Sequence, residues 1–487
     1  MASLIFTLRG TSDTVRGVVD VRFGQPVWHF RGIRYGHIAR RFAEPEYVEL
    51  GSQEIDATKF GPQCPQPDVD PGHLLRVPPN IKFTRIEEDE LECLNLNITT
   101  PPHVGRNALG LLPVLVWVHD PTQMVSQATS VGKPMIVVTF NYRLNIFAFN
   151  CGEGAKNLAL QDQRLALEWV SKNIVKFGGD PDQITLAGES AGAVYVHAHI
   201  LHMSGCLAKR AILASGSLHL SPPQNVDVSE KFISRLRSEL ATRGHTLHDG
   251  PSSSLVQSLT NCGVVSMWLQ QEPGLDHWQD RVEQVETLMV SDVEYESVIW
   301  RNGVEAMDVD EIILIILGDK KYSELAKLYN IYPGRPSSCK HGVLDFINDA
   351  RFALPAFEIS ERWRRGHGEI FQYIIDEPNP WQASSRAHHA VDLLFLFGGV
   401  DLSFNHDATE VATELREAWI DFAHGGKPWP RSNIRAFGPH SRCENLDLEA
   451  YARRRRVKCF DFLQKLGAPE YMALSGKLGA GRLSLLN

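Results

Sequence analysis

Residues 184–193 read Ile-Thr-Leu-Ala-Gly-Glu-Ser-Ala-Gly-Ala, an apolar run that breaks at Gly188-Glu189-Ser190-Ala191-Gly192 and resumes as a helix-forming stretch. Gly-x-Ser-x-Gly between a strand and a helix forces a tight turn that presents the serine oxygen at the sheet edge, with glycines where a Cβ would strike neighbouring backbone. The helix N-terminus behind the turn favours developing negative charge. Ser190 is therefore a candidate nucleophile. A plain glycine-rich turn is the bland alternative, and the strand-turn-helix context weighs against it.

The same alternation extends outward. VLVWV (114–118), MIVVT (135–139) and RAILA (210–214) are strand-length apolar runs, and Leu158 to Phe177 carries a helical period. Continuous apolar runs alternating with helices predict parallel strands covered on both faces, the doubly wound α/β plan. Ligands of such sheets bind at the carboxyl ends of the strands, so the loops after 118, 187, 214 and 376 are where chemistry is expected. Helical patterns dominate 228–330, as in EKFISRLRSELATR and KYSELAKLYN, and predict a helical cap over roughly 218–350. Strand character returns at EIFQYIID (369–376), and a last helix is expected near Glu414 to Ala423.

Composition excludes several classes. Of 487 residues, 43% are hydrophobic and 22% charged, which argues against a disordered or fibrous chain. A net charge of −9 gives no general attraction to nucleic acid or anionic lipid, and no apolar run approaches a membrane span. The N-terminus has no basic segment followed by an apolar one, so an intracellular location is expected. The eight cysteines form no Cys-x-x-Cys pair and read as core residues. His197, His199 and His202 read as packing residues rather than metal ligands. Arg453–Arg456 reads as a solvated basic face rather than a nucleic-acid site.

The block NLALQDQRLALEWVSKNIVKFGGDPDQITLAGESAGA (157–193) resembles the signature of the type-B carboxylesterases, the cholinesterase-like α/β-hydrolases. FRGIRYG (30–36), ELECLNLNITTP (90–101), PVLVWVH (113–119), VVTFNYRLNIFAF (137–149) and KRAILASGS (209–217) follow the family's order, so the resemblance covers nearly the whole chain. It implies one α/β-hydrolase catalytic domain over 1–487, with a central, mostly parallel sheet flanked by helices and helical cap insertions. The family's acid segment matches residues 291–297 and selects Glu296, with Asp292 and Glu294 as local rivals. Its base segment matches residues 389–398 and selects His389, with His388 beside it. The implied mechanism has His389 take the Ser190 proton, Glu296 orient the imidazole, and an acyl-serine form and hydrolyse, with no metal or organic cofactor. Cys64 and Cys93 align with the family's first disulfide, although an intracellular location would leave them reduced.

One segment departs from the family. Where relatives carry His-Gly-Gly-Gly, whose N–H groups join that of Ala191 in binding the oxyanion, this chain has His119-Asp120-Pro121-Thr122-Gln123. Pro121 has no N–H to give, Asp120 adds a carboxylate where negative charge must develop, and one lost donor costs about 10²- to 10³-fold in rate. Three readings stay open. The oxyanion site is rebuilt from Ala191, Gly192, Thr122 or Gln123 and the chain remains an esterase. Alternatively, Ser190, His389 and Asp120 serve acid/base chemistry without hydrolysis, as in an isomerase, cyclase or lyase. In the third reading the chain only binds.

VEYESVIWRNGVE (293–305) and AHHAVDLLFLFGG (387–399) most resemble filamentous-fungal members, many of which act on secondary metabolites. That resemblance implies a small hydrophobic ester or lactone as substrate, with Trp268, Trp300, Trp381 and Phe395 as candidate lining; the sequence leaves monomer and homodimer both open.

Overall fold

Along Leu112–Trp117, Val114 and Val116 enter one buried core while Leu115 and Trp117 enter another. Arg210–Ala214 divides the same way, Ala211 and Leu213 against Ile212 and Ala214. Successive side chains of a strand point to opposite faces, so covering both faces demands the unbroken apolar runs seen in the sequence. The computed structural model describes residues 2–51, 54–83, 85–102, 110–117, 122–149, 156–263, 269–366, 368–397 and 399–484.

The parallel core of the sheet runs Ile136–Phe140, Leu112–Trp117, Gly179–Glu189, Arg210–Ala214, Thr287–Val293, Glu369–Ile375, Ile434–Phe437. Antiparallel strands extend it, Ala2–Thr7, Thr14–Asp20, Val27–Arg34 and Asn95–Thr100 at one side and Cys443–Leu446 at the other. This is the α/β-hydrolase architecture. The register pairs Glu189 with Ala214, Ala214 with Ser291, and Ser291 with Tyr373. The carboxyl ends of these strands therefore lie level, and the loops that leave them converge.

Helices Leu158–Asn173 and Ala191–Leu201 pack in the first core, and Thr122–Ser130 and His406–Ala423 in the second. A third core gathers Pro336–Asn348, Val457–Leu466 and Ala468–Gly479.

The expected cap over 218–350 is not a continuous helical insertion. Thr287–Val293 interrupts it as a strand at the heart of the sheet, between Arg210–Ala214 and Glu369–Ile375. Ser291 and Asp292 hide that strand by breaking its apolar run, and Asp292 is compensated from far away by Arg455. The helix Val226–Ala241 precedes the strand, opened by Asn225, whose side chain accepts from the Val228 N–H at 3.0 Å. Nor is His406–Ala423 the last helix, because Val457–Leu466 and Ala468–Gly479 follow it.

Of the run Arg453–Arg456, only Arg453 lies on a solvated face, paired with Glu449. Arg455 is buried against Asp292 and Asp376, Arg454 pairs with Asp376 and Glu444, and Arg456 pairs with Asp349. Among the described residues, no helix is long and apolar enough to cross a membrane.

Candidate active site

Ser190 sits between strand Gly179–Glu189 and helix Ala191–Leu201 with φ 53° and ψ −118°. A left-handed backbone at a non-glycine residue is strained, and it is held by a hydrogen bond from the Ser190 N–H to Ala214 O at 2.9 Å. A Cβ on Gly188 would lie 2.3 Å from the Gly192 carbonyl carbon, and one on Gly216 2.5 Å from Ser190 O. The glycines needed are thus 188 and 216. Gly192, expected to avoid a clash of its own, meets nothing within 4 Å, because the crowding lies at its carbonyl and not at its Cα.

Glu296 follows strand Thr287–Val293, and His389 lies in the loop after Glu369–Ile375. Backbone pairing ties the two loops together. The Tyr295 N–H donates to Ala387 O at 2.9 Å, and the His389 N–H donates to Tyr295 O at 3.2 Å. Asn348, unmarked in the sequence, accepts from the Glu296 N–H at 2.8 Å and the Ser297 N–H at 3.3 Å.

The three strand ends bring their side chains together. His389 Nε2 lies 2.8 Å from Ser190 Oγ, and Nδ1 lies 2.5 Å from Glu296 Oε2. The other Glu296 oxygen accepts from the Val293 N–H at 2.8 Å, so the carboxylate cannot swing away. Phe352 packs edge-on against the imidazole, 5.5 Å between ring centres. His388 turns elsewhere: Nδ1 donates to His389 O at 2.7 Å and Nε2 accepts from Asn379 at 3.0 Å. Burial above all holds His388 down to about 3, a neutral ring throughout the physiological range.

The rivals of Glu296 are occupied. Asp292 faces Arg455, and burial pushes its carboxyl up to about 7 against that cation's pull. Glu294 is only partly buried and pairs with Arg386 at 2.7 Å.

Two further carboxyls surround the imidazole. Glu189 Oε1 is 3.5 Å from His389 Nε2, and burial pushes its carboxyl well above the ordinary range. Asp392 is pushed up to about 7, first by burial and then by the charge of Glu296. For His389 itself, burial acts to lower the pKa, but the charge of Glu189 and the hydrogen bond and charge of Glu296 outweigh it and raise it to about 9.

Ser190, Ala191 and His389 open into a cavity of about 420 Å³, with Leu220, Ile299, Trp300 and Arg351 also at its walls. The C-terminal stretch that includes Gly476, Gly479, Gly481 and Leu483 closes another side. Of the aromatic candidates, Trp300 lines the cavity, Phe395 is core, Trp381 packs on Phe404, and Trp268 lies outside the described residues. Arg351 and the C-terminal wall carried no motif. A lone arginine in the otherwise apolar run ARFALPAF (350–357) and three glycines in GKLGAG (476–481) were the available signals.

Asp120 and Pro121 lie outside the described residues. Thr122 opens helix Thr122–Ser130, and its hydroxyl is 3.4 Å from His29 Nε2. Neither Thr122 nor Gln123 lines the cavity, whereas Ala191, at the first turn of its helix, does. First-turn N–H groups have no partner within their own helix, so Ala191 offers a donor beside Ser190.

Cys64 and Cys93 are buried free thiols, and Cys64 Sγ accepts from the Leu144 N–H at 3.2 Å. His197 faces Glu283 and His199 faces Gln163 at 2.8 Å, partners that account for their burial.

A sheet with this order and a serine at this turn define an α/β-hydrolase. The carboxylesterase family profile matches residues 7–262. Lipase 3 of Yarrowia lipolytica is 30% identical over 93% of this chain and 95% of its own. The chain belongs to the carboxylesterase family and is a carboxylic ester hydrolase by that membership. Para-nitrobenzyl esterase of Bacillus subtilis is 28% identical over 80% of this chain and 85% of its own. An inactive carboxylesterase-like protein, VdtD of Byssochlamys spectabilis, is 34% identical over 52% of this chain and 44% of its own. In fold, the chain is similar to the solved juvenile hormone esterase of Manduca sexta, with TM-score 0.74, 22% identity, and coverage of 95% and 99%.

Proposed function

We propose that the protein hydrolyses a small hydrophobic ester or lactone through an acyl-serine, as a single catalytic domain. Ser190 attacks the carbonyl, His389 accepts the serine proton at Nε2 and returns it to the leaving alcohol, and Glu296 holds the imidazole and stabilises its cation. Water then enters, His389 activates it, and the acyl group leaves Ser190. The observation that carries this reading is the continuous relay from Glu296 through His389 to Ser190, at 2.5 and 2.8 Å, opening onto the cavity. The Ala191 N–H supplies one oxyanion donor. Aliphatic and aromatic walls favour an apolar acyl or alcohol part.

The sequence Asp120-Pro121 and the relative named inactive favour a second reading, in which His389 and Asp120 exchange protons with a ligand and no acyl-serine forms. A fluorophosphonate probe with mass mapping of the adduct separates the two. The first reading expects labelling at Ser190 and loss of para-nitrophenyl ester turnover by at least about 10³-fold in Ser190→Ala. An unlabelled Ser190, or turnover that survives Ser190→Ala and fails in Asp120→Ala, would overturn it.

A further inference from the structure

Arg351 differs from the other deeply placed arginines. Arg143 is paired with Asp162, Arg455 with Asp292 and Asp376, and Arg210, with no carboxylate within 4 Å among the described residues, gives its donors to Ala423 O and Gln183 Oε1 away from the cavity. Arg416 has no carboxylate within 4 Å among the described residues, but it lies in the closed second core, where Phe395 O and Gln127 Oε1 each take a hydrogen bond at 2.5 Å. Arg351 lies on the wall of the cavity that holds Ser190 and His389. Its Nη1 donates to Leu220 O at 2.8 Å, its buried Nε finds no acceptor among the described residues, and no carboxylate there comes within 4 Å. Its guanidinium carbon stands 5.8 Å from the ring of Trp300, which packs on Phe352, the residue that also packs on His389.

A cation drawn out of water without a counter-charge is costly unless something completes it. A guanidinium is a planar fork that a carboxylate fits, and an aromatic ring beside it gives that fork a partly dry setting. Burial depresses the Arg351 pKa only to about 10, so the group stays cationic at neutral pH.

We propose that Arg351 is a specificity residue that receives a carboxylate of the substrate, so that the preferred ester is an apolar molecule bearing a second, ionised carboxyl group. This rests on the reading of the Ser190 cavity as the substrate site. Trp300 takes the apolar body and Arg351 the acid, while the ester carbonyl reaches Ser190.

Binding and turnover test this separately. Calorimetric titration of phenylbutyrate and phenylbutanol into Ser190→Ala protein measures recognition without chemistry. The carboxylate should bind at least about tenfold more tightly than the alcohol, and Arg351→Met should bring the two within about twofold, while Arg351→Lys keeps part of the preference. Equal binding of both ligands before any change at Arg351, or a preference that persists in a folded Arg351→Met, would overturn the proposal. The unaltered arginine protein carries the comparison even if Arg351→Met fails to fold. In parallel, para-nitrophenyl hemiglutarate should exceed para-nitrophenyl valerate in kcat/KM. A carboxylate preference without turnover of either ester supports Arg351 and defeats the hydrolytic reading, whereas turnover of both without preference does the reverse.

Discussion

Asp292 and Glu296 leave one strand end four residues apart, both buried, and enter two different worlds. Asp292 turns into the protein, where Arg455 bridges it to Asp376. Glu296 turns to His389 and, through it, to Ser190 and open space. Both clusters contain a buried acid facing a cation or a potential one, so burial and charge alone do not separate a structural pair from a reactive one. What separates them is the last group in the line. Arg455 ends in a second carboxylate, whereas His389 ends in a hydroxyl at a cavity wall.

The sharpest way to break that distinction is to neutralise Glu296. Glu296→Gln keeps the volume but presents an amide to Nδ1, which disfavours the tautomer that leaves Nε2 free to accept the serine proton. A loss of about 10³- to 10⁴-fold in kcat is expected, with little change in KM. Steady-state kinetics on a para-nitrophenyl ester check it. A loss below about tenfold would assign Glu296 to the same structural class as Asp292.

The second cluster should fail in the other way. Arg455→Met leaves Asp292 and Asp376 without their bridge, and removing one partner of a buried pair costs about 3–5 kcal/mol. Urea unfolding should show that loss in its midpoint, while kcat per folded molecule stays within about threefold, because Arg455 reaches neither His389 nor the cavity. A large fall in kcat at unchanged stability would join the two clusters into one functional unit.

The contrast also explains what could be read in advance. The turn at Ser190 is largely local: Gly188, a strand and a helix within 184–201 specify it, with Gly216 added from the end of the neighbouring strand, and RAILA (210–214) matches the observed strand residue for residue. The acid's environment is not local. Asp292, Glu294 and Glu296 lie within five residues, and their partners Arg455, Arg386 and His389 come from distant loops. Only the resemblance chose among them. Strand Thr287–Val293 is masked for the same reason, because Asp292 within it makes sense only once the C-terminal arginine run folds back. The antiparallel strands before residue 35 mix buried and partly exposed positions irregularly, so their alternation blurs, and the C-terminal wall is a surface assembled by tertiary packing.

The subtlest difference between the clusters lies in how many acids crowd each cation. His389 has Glu296 on Nδ1 and Glu189 3.5 Å from Nε2, with Asp392 close behind, and these acids together hold it up to about 9 against the opposing effect of burial. In the proposed mechanism His389 is the base and works only when neutral. A raised pKa therefore means that kcat/KM falls as pH drops through about 9, and that activity near neutrality is a fraction of its alkaline plateau. Glu189→Gln removes the largest of the effects that raise the imidazole while leaving the relay to Glu296 intact. The rising limb of the pH–rate profile should then move to lower pH by about one unit, equivalent to ~1.4 kcal/mol, with a relative gain at neutral pH. An unmoved limb would mean that Glu189 already holds its proton in the free enzyme, as its own burial favours, and that Glu296 and Asp392 alone set the imidazole. The limb thus locates a proton that distances leave unassigned, and it does so in the one cluster where that proton can reach a substrate.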